Sequence, residues 1–341
     1  MVFYQCSKCK KKWQQPVSIC PFCFSELEIV RAKEEKIIAS SKVSIPSLLH
    51  PKVPYWALVI EDEYGNRYAY KSMENRKVGD SLNLEANSSY DAVAIWKVNY
   101  NLLDAIEKIA DFSCLQLKKD TKVLVLPTLV APVHNYMREN TSLEFLDAVI
   151  SYLKEKGVKD IKIATQSFDD MPIEAMAQKS GLLDVCLKHK LVPFDLSSGE
   201  FENVGKARLS KELKNNDIIL NLSELKYGKA SSVENLLKLF EKQNYQALKY
   251  LYGEDYLGEI VKEINNVFTL GEAIHPQRVD KFPIFRSLVF GSRNAGSLDV
   301  VFNATGMVKN IPKQLANIDI SNIPTVGRTI EEVQRNVDLV L

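Results

Sequence analysis

Four cysteines near the amino terminus, Cys6, Cys9, Cys20 and Cys23, have the residue type and spacing that specify chemistry most sharply in this chain. They read C-x-x-C, ten residues, C-x-x-C. Each pair places two thiolates on one tight turn, and two facing turns complete a tetrahedral S₄ site suited to zinc or, less often, to a rubredoxin-type iron. Two disulfides in a small secreted domain would need an oxidising compartment and a signal peptide, whereas Met1 to Gln5 lead straight into the ligands. With all four ligands closing the site, the metal is expected to be structural. The remaining cysteines, Cys114 and Cys186, stand alone in apolar surroundings and read as buried small hydrophobes.

The bulk numbers exclude several classes of function. At 341 residues the chain has room for two or three domains. Lys plus Arg (44) nearly cancel Asp plus Glu (43), so no overall field recruits nucleic acid or an anionic membrane. No apolar run reaches the roughly 18 residues that span a bilayer. A cytoplasmic, reducing location is expected.

The elements that must position the metal site are short and β-rich. Residues 1–30 read as a zinc ribbon and 31–98 as a small barrel. Strands are expected at Leu27–Ala32, Lys36–Ile45, Tyr55–Glu61, Arg67–Lys71, Ser81–Glu85 and Ala92–Val98, with Tyr64-Gly65-Asn66 as a hairpin turn. Five or six short strands without a long helix suggest a Greek-key barrel of the OB-fold type.

From about residue 99 to 341 the period changes. A helix near Asn101–Ala110 precedes an apolar strand, Lys122–Leu126. Thr141-Ser142-Leu143-Glu144 has capping-box spacing and opens a helix that stops at Gly157. A strand, Ile161–Thr165, and a helix from Pro172 to Gly181 follow, then strands at Leu191–Phe194, Asp217–Leu222, Val267–Leu270 and Leu288–Phe290. This alternation predicts a mostly parallel sheet covered by helices. The fold class is therefore multidomain, an α/β domain behind a zinc ribbon and a barrel.

Ligands gather at the carboxyl ends of strands in such sheets. That rule selects loops carrying His134, Asp169, Asp170, Lys226, His275, Arg293 and Asp299. Among these, Lys226, Arg293 and Asp299 form the candidate catalytic set, with Lys226 as anion clamp or base. Gly291 to Ser297 could cradle an anion at a helix start, or supply glycines for turn geometry. Asp169 and Asp170 read as a solvated turn or cap, and His134 and His275 as surface or packed histidines.

Two resemblances add to this reading. The ribbon, Pro54-Tyr55-Trp56-Ala57-Leu58-Val59, the Tyr64-Gly65-Asn66 turn and Lys77-Val78-Gly79-Asp80-Ser81 resemble the acyl-CoA-associated family in which a rubredoxin-like zinc ribbon precedes an OB-fold. The likeness covers residues 1 to about 95. It implies an accessory protein that holds or bridges a thiolase, a synthase or a hydratase, or meets the CoA moiety. A glycine usual after the second cysteine is Lys10 here.

Most of residues 120–330 resemble the uncharacterised domain of unknown function 362, through Val123 to Val130, Asp217 to Leu222 with Leu225-Lys226, Asn235-Leu236-Leu237, and Gly291 to Asn294 with Asp299. Some members are iron–sulfur proteins, but this chain lacks the cysteine run for a cluster. Leu126, Thr128, Tyr227, Gly228, Glu234, Leu270 and Asn294 replace polar or otherwise characteristic family residues, while Lys226, Asn235 and Asp299 remain. A depleted polar set favours binding or scaffolding over catalysis. The alternatives are an enzyme acting on a small anionic substrate at the sheet edge, and single-stranded nucleic-acid binding by the barrel. The near balance of charge over residues 1–100 makes the latter weak.

Overall fold

The computed structural model describes residues 1–337 apart from 48, 83, 169, 170, 279 and 281. The ribbon is a three-stranded antiparallel sheet of β1 (Val2–Cys6), β2 (Lys12–Trp13) and β3 (Leu27–Arg31), with β1 in the centre. A second antiparallel sheet follows in a meander: β4 (Glu35–Val43), β5 (Tyr55–Asp62) and β6 (Arg67–Ser72). The β5–β6 turn forms as expected. Gly65 adopts φ +79°, and one Asp62 carboxylate oxygen accepts from the amides of Tyr64 and Asn66, both at 2.9 Å.

The barrel does not close among the described residues. The segment read as a strand at 81–85 contributes one bridge, Lys36 to Ser81. The strand assigned to its end, β7 (Val93–Lys97), lies instead in the large sheet. Its residues explain why: Val93, Ala94, Ile95 and Trp96 are all buried, the pattern of a strand covered on both faces rather than one with a wet side.

The large sheet has eight strands. Five run parallel: β8 (Lys122–Pro127), β9 (Asp160–Thr165), β10 (Pro193–Asp195), and, beyond a separate hairpin of β11 (Phe201–Val204) and β12 (Ala207–Ser210), β13 (Ile218–Lys226) and β14 (Val267–Gln277). β15 (Leu288–Ser292) then pairs antiparallel with β14 and with β7, and β16 (Thr325–Gly327) closes the edge parallel to β7. The order is β10-β9-β8-β13-β14-β15-β7-β16. Helices α1 (Leu102–Phe112), α2 (Leu143–Glu155), α3 (Ile173–Ser180), α4 (Leu182–Lys188), α5 (Glu212–Asn215), α6 (Ser231–Leu236), α7 (Lys242–Lys262), α8 (Ala295–Thr305) and α9 (Ile330–Val333) complete the body. None is long and apolar enough to cross a membrane among the described residues.

The amino-terminal sheets and the body share one core. Met1, Val2, Ile37, Leu58, Ile60, Tyr68 and Tyr70 join Trp96, Ile106, Ile109 and Phe145 in a continuous apolar cluster. The start of α1 fastens the ribbon to it. Asn101 caps α1 by accepting from Asp104 N at 2.7 Å, while its amide donates to Val2 O at 3.1 Å; Asp104 in turn accepts from Val2 N at 2.8 Å. One cap thus serves the helix and the neighbouring strand.

α2 differs in detail from the expectation. Its cap is Ser142, whose hydroxyl accepts from Phe145 N, so no Thr141–Glu144 capping box forms. Thr141 is engaged elsewhere: its hydroxyl donates to Leu222 O and accepts from Thr128 N. Gly157 and Gly181 end α2 and α3 with φ +83° each, the left-handed stop expected of them.

Candidate metal centre and the carboxyl edge of the sheet

The two C-x-x-C turns are near copies. Cys6 O and Cys20 O accept from Lys10 N and Phe24 N, and Cys6 N and Cys20 N donate to Lys11 O and Ser25 O. Lys10 and Phe24 occupy equivalent left-handed positions, φ +58° and +55°. The position where glycine is usual is therefore kept by Lys10 at some backbone strain, and the turn geometry survives. All four sulfurs lie within 4.8 Å of one another, with Cys6 to Cys23 at 3.4 Å and Cys9 to Cys20 at 3.5 Å.

The surroundings favour the thiolate at Cys6 and Cys23, whereas Cys9, against the pull of the Lys11 amide, is pushed up to about 11 by burial and the neighbouring sulfurs of Cys20, Cys6 and Cys23. The amides of Cys9 and Lys8 donate to Cys6 Sγ at 3.3 and 3.4 Å and lower its pKa. The Ser25 hydroxyl and amide hold Cys23 at about 6. Four sulfurs at this spacing, two of them buried, could hold a metal ion, and the donor set is consistent with zinc. No coordination position is left for a substrate. Cys186 is buried and pushed up to about 12 by burial, a small hydrophobe as read; Cys114 is half-buried.

A second constellation lies at the carboxyl ends of the parallel strands. The β13–β14 register places Glu224 opposite Glu272, and each is 2% exposed. Glu272 accepts from Ser142 Oγ at 2.6 Å and Ser142 N at 3.2 Å. One oxygen of Glu224 has no hydrogen-bond partner. Burial, with Glu272 beside it, pushes the Glu224 carboxyl well above the usual range, and burial raises Glu272 as well. Two carboxyls in a dry site resist ionising together, so each raises the proton affinity of the other.

The loop after β8 is tied to the β13 backbone beside this pair, Thr128 Oγ1 accepting from Glu224 N at 3.3 Å. Thr128 and Thr141 both donate to Leu222 O at 3.0 Å, and Asn140 Oδ1 accepts from Val130 N and Ala131 N at 2.8 and 3.2 Å. Lys226 is ion-paired with Glu139, which also accepts from Gln277 at 3.3 Å. His275 packs on Phe285, its Nδ1 is buried without a hydrogen-bond partner, and burial followed by Arg138 lowers its pKa. Chemically, a carboxyl pair of raised proton affinity beside an ion-paired lysine suits proton transfer to or from an anionic group.

The candidate trio from the sequence does not converge. Lys226 stands at this edge. Asp299 is wholly buried on α8, where its carboxylate accepts from Ser232 N and Val233 N at 2.9–3.1 Å and so caps α6; burial raises it to about 7. Arg293 lies at the other end of the sheet. β15 runs antiparallel, so its carboxyl end arrives at the amino ends of β8 and β13, where Arg293 donates to Cys114 O at 3.4 Å beside Asp217 and Ile218. The strand-end rule holds for parallel strands, and β15 is antiparallel to β14.

The glycine loop is likewise no anion cradle. Asn294 caps α8, accepting from Gly296 N and Ser297 N at 2.9 and 3.1 Å, which occupies the amides an anion would need. Gly291 is required by packing, since a Cβ there would meet Ile109 Cγ2 of α1 at 2.2 Å. His134 is exposed and rests against Tyr136. Asp169 and Asp170 lie outside the described residues.

Residues 123–276 match the family described as "Domain of unknown function (DUF362)". The match runs from β8 into β14, so it takes in Ser142, Glu224 and Glu272 and stops before the antiparallel strands. No curated protein matches the chain. A chain of the solved structure titled "Ltp2-ChsH2(DUF35) aldolase" is similar over 25% of this chain and 72% of its own, with 21% identity and a TM-score of 0.21. At that level the likeness carries no argument.

The apolar runs alone end β13 at Leu222 and β14 at Leu270, which hides the glutamate pair from the sequence. Both strands continue, and the signal was there: Ser223-Glu224-Leu225 and Gly271-Glu272-Ala273 each set one acid between small or apolar residues.

Proposed function

We propose that this chain is an accessory protein that binds an acyl-CoA-metabolising enzyme, of thiolase or synthase type, through its ribbon and the adjoining sheet. The observation that carries this reading is the surface of the second knuckle, where Ile19, Phe22 and Phe24 are 50%, 64% and 75% exposed. A closed S₄ centre offers no open position for chemistry, so its service is to hold that knuckle in shape. Large apolar side chains displayed on a rigid turn suit a protein interface. The class of partner comes from the resemblance of residues 1–95 to acyl-CoA-associated proteins, and the CoA moiety of the partner's substrate is the natural small ligand of such an assembly. Zinc is the metal this reading assigns.

The test is affinity purification of the full chain from its native cell, with identification of what is retained. A thiolase-like or synthase-like enzyme at near-stoichiometric yield supports the reading. Recovery of the chain alone overturns it.

A second reading is favoured by one observation, the unpartnered oxygen of the buried Glu224. In it the carboxyl edge is an active site in which the Glu224–Glu272 pair moves a proton on a small anionic substrate held by Lys226. Turnover of such a substrate, abolished in Glu224→Gln, would support it; turnover that survives the substitution would remove it.

A further inference from the structure

The three-stranded sheet and the α/β body meet around a cavity of about 220 Å³. β6 supplies Lys71, β7 supplies Lys97, and Arg286, Arg328 and Arg335 come from the segments flanking β15, β16 and α9. Five cationic side chains therefore line one small space. The carboxylate that lines it with them is Glu332, which accepts from Thr329 N and Met73 N at 3.2 and 3.3 Å within the cap of α9.

The cations bond to neutral acceptors. Lys71 donates to Glu331 O at 3.1 Å, Arg335 to Phe285 O at 3.4 Å, and Arg286 to Val333 O and the Tyr227 hydroxyl. Arg328 is the sharpest case. It is 3% exposed and donates to Lys71 O at 3.1 Å, yet its Nε and Nη2 have no hydrogen-bond partner. Its guanidinium lies 3.4 Å from the Tyr70 ring centroid; a ring meets the face of the group and leaves the in-plane N–H donors unfilled.

A buried guanidinium with two empty donors is costly unless an acceptor arrives. The neighbours feel the crowding: burial, then Arg328 and Arg335, lower Lys97, and burial, then Lys71, Arg335 and Lys97, lower His50. Tyr55 and His50 stand at the same cavity with ring centroids 5.6 Å apart, a surface on which a flat ring can rest.

We propose that this cleft binds the phosphate or diphosphate group of a small phosphorylated molecule, with Arg328, Arg335 and Lys97 taking its oxygens. Planar guanidinium forks match phosphate oxygens in pairs, and a cavity of this size holds the head group while the remainder extends past Tyr55. The inference goes beyond the docking reading and does not rest on it: that reading is carried by the exposed Ile19, Phe22 and Phe24, none of which lines the cleft, although the adjoining sheet serves both.

The experiment is titration calorimetry on the full chain with inorganic pyrophosphate and, separately, ADP, at constant ionic strength. Saturable binding of at least one probe is expected. Lys97→Gln and Arg335→Gln should each weaken it about tenfold, the loss typical of one hydrogen bond to a charged group. Lys97 keeps solvent access at the rim of the cleft and lies outside the apolar core, so its variant keeps the fold. ADP binding more tightly than pyrophosphate supports an organic ester with its ring on Tyr55, and equal affinities support recognition of the head group alone. Absence of saturable heat with both probes overturns the proposal, as does affinity unchanged in both variants. A single-stranded oligonucleotide that competes through the same residues and binds more tightly than ADP would also overturn it.

Discussion

The two polar centres of this molecule are built in opposite ways. In the ribbon, four cysteines within eighteen residues come together because each turn carries its own pair, and the backbone hydrogen bonds that shape the turns are local. At the carboxyl edge of the sheet, Glu224 and Glu272 are nearly fifty residues apart in sequence and meet only because β13 and β14 pair in parallel register. The first centre displays its surroundings to solvent and gathers thiolates. The second is dry and resists the ionisation of its carboxyls. A local motif announces itself in spacing, while a centre made by strand pairing is visible only once the register is known.

The largest effect should come from breaking the ribbon. Cys20→Ser is expected to abolish stoichiometric metal binding, measured by elemental analysis, and with it most of the roughly 10 kcal/mol or more that a structural zinc contributes to its own domain. Because Met1 and Val2 belong to the shared core, the loss should also lower the thermal midpoint of the body while leaving its helical circular dichroism in place. A variant with unchanged metal content would show that the four sulfurs are not the ligands.

Glu35 is the next step down. It accepts from the amino-terminal ammonium, Lys108 and Tyr68, joining ribbon, small sheet and α1. Burial raises its carboxyl, but Lys108 and the terminal ammonium outweigh that and hold it at about 2. A depressed pKa means stability that is present above the ordinary carboxyl range and lost as pH falls from about 4.5 toward 2. Glu35→Gln should lower stability near neutral pH by about 2–3 kcal/mol, since it leaves the buried terminal ammonium and the half-buried Lys108 unpaired, and should flatten that acid limb in denaturant titrations.

The glutamate pair should respond with the opposite sign. Its raised pKa values give stability that is full at low pH and lost as pH rises from about 4.5 toward the folded values. Glu224→Gln removes the repulsion and is expected to raise the denaturation midpoint at pH 8, by about 1–2 kcal/mol in stability, with little change at pH 4. A destabilisation at pH 8 would mean that the ionised pair is held by groups other than those seen around it. Below this, Ser142→Ala should cost about 1 kcal/mol through loss of the α2 cap and of the Glu272 hydrogen bond.

Much of the fold was legible. Apolar runs at 122–126, 161–165 and 288–290 marked buried strands, and Gly157 and Gly181 marked helix ends, because these signals depend on a few consecutive residues. The assignment of 93–97 was not legible in the same way: a five-residue apolar strand suits a barrel wall or a covered sheet equally, and its partners β15 and β16 lie nearly two hundred residues or more away. Arg293 shows the same limit. A residue after a strand is at the ligand-binding edge only if that strand is parallel, and direction is a property of pairing. Asp299 looked chemical because it is an acid in a family-like position, yet it caps α6.

The most direct measurement concerns the claim that the metal turn exists to present an apolar docking surface. The double variant Phe22→Ser, Phe24→Ser changes only exposed side chains, so metal content should be retained and stability should move by no more than about 0.5 kcal/mol. In affinity purification side by side with the unaltered chain, the account predicts that the thiolase-type or synthase-type partner is retained by the unaltered chain and lost by the double variant. Equal retention by both, with metal bound in each, would contradict it.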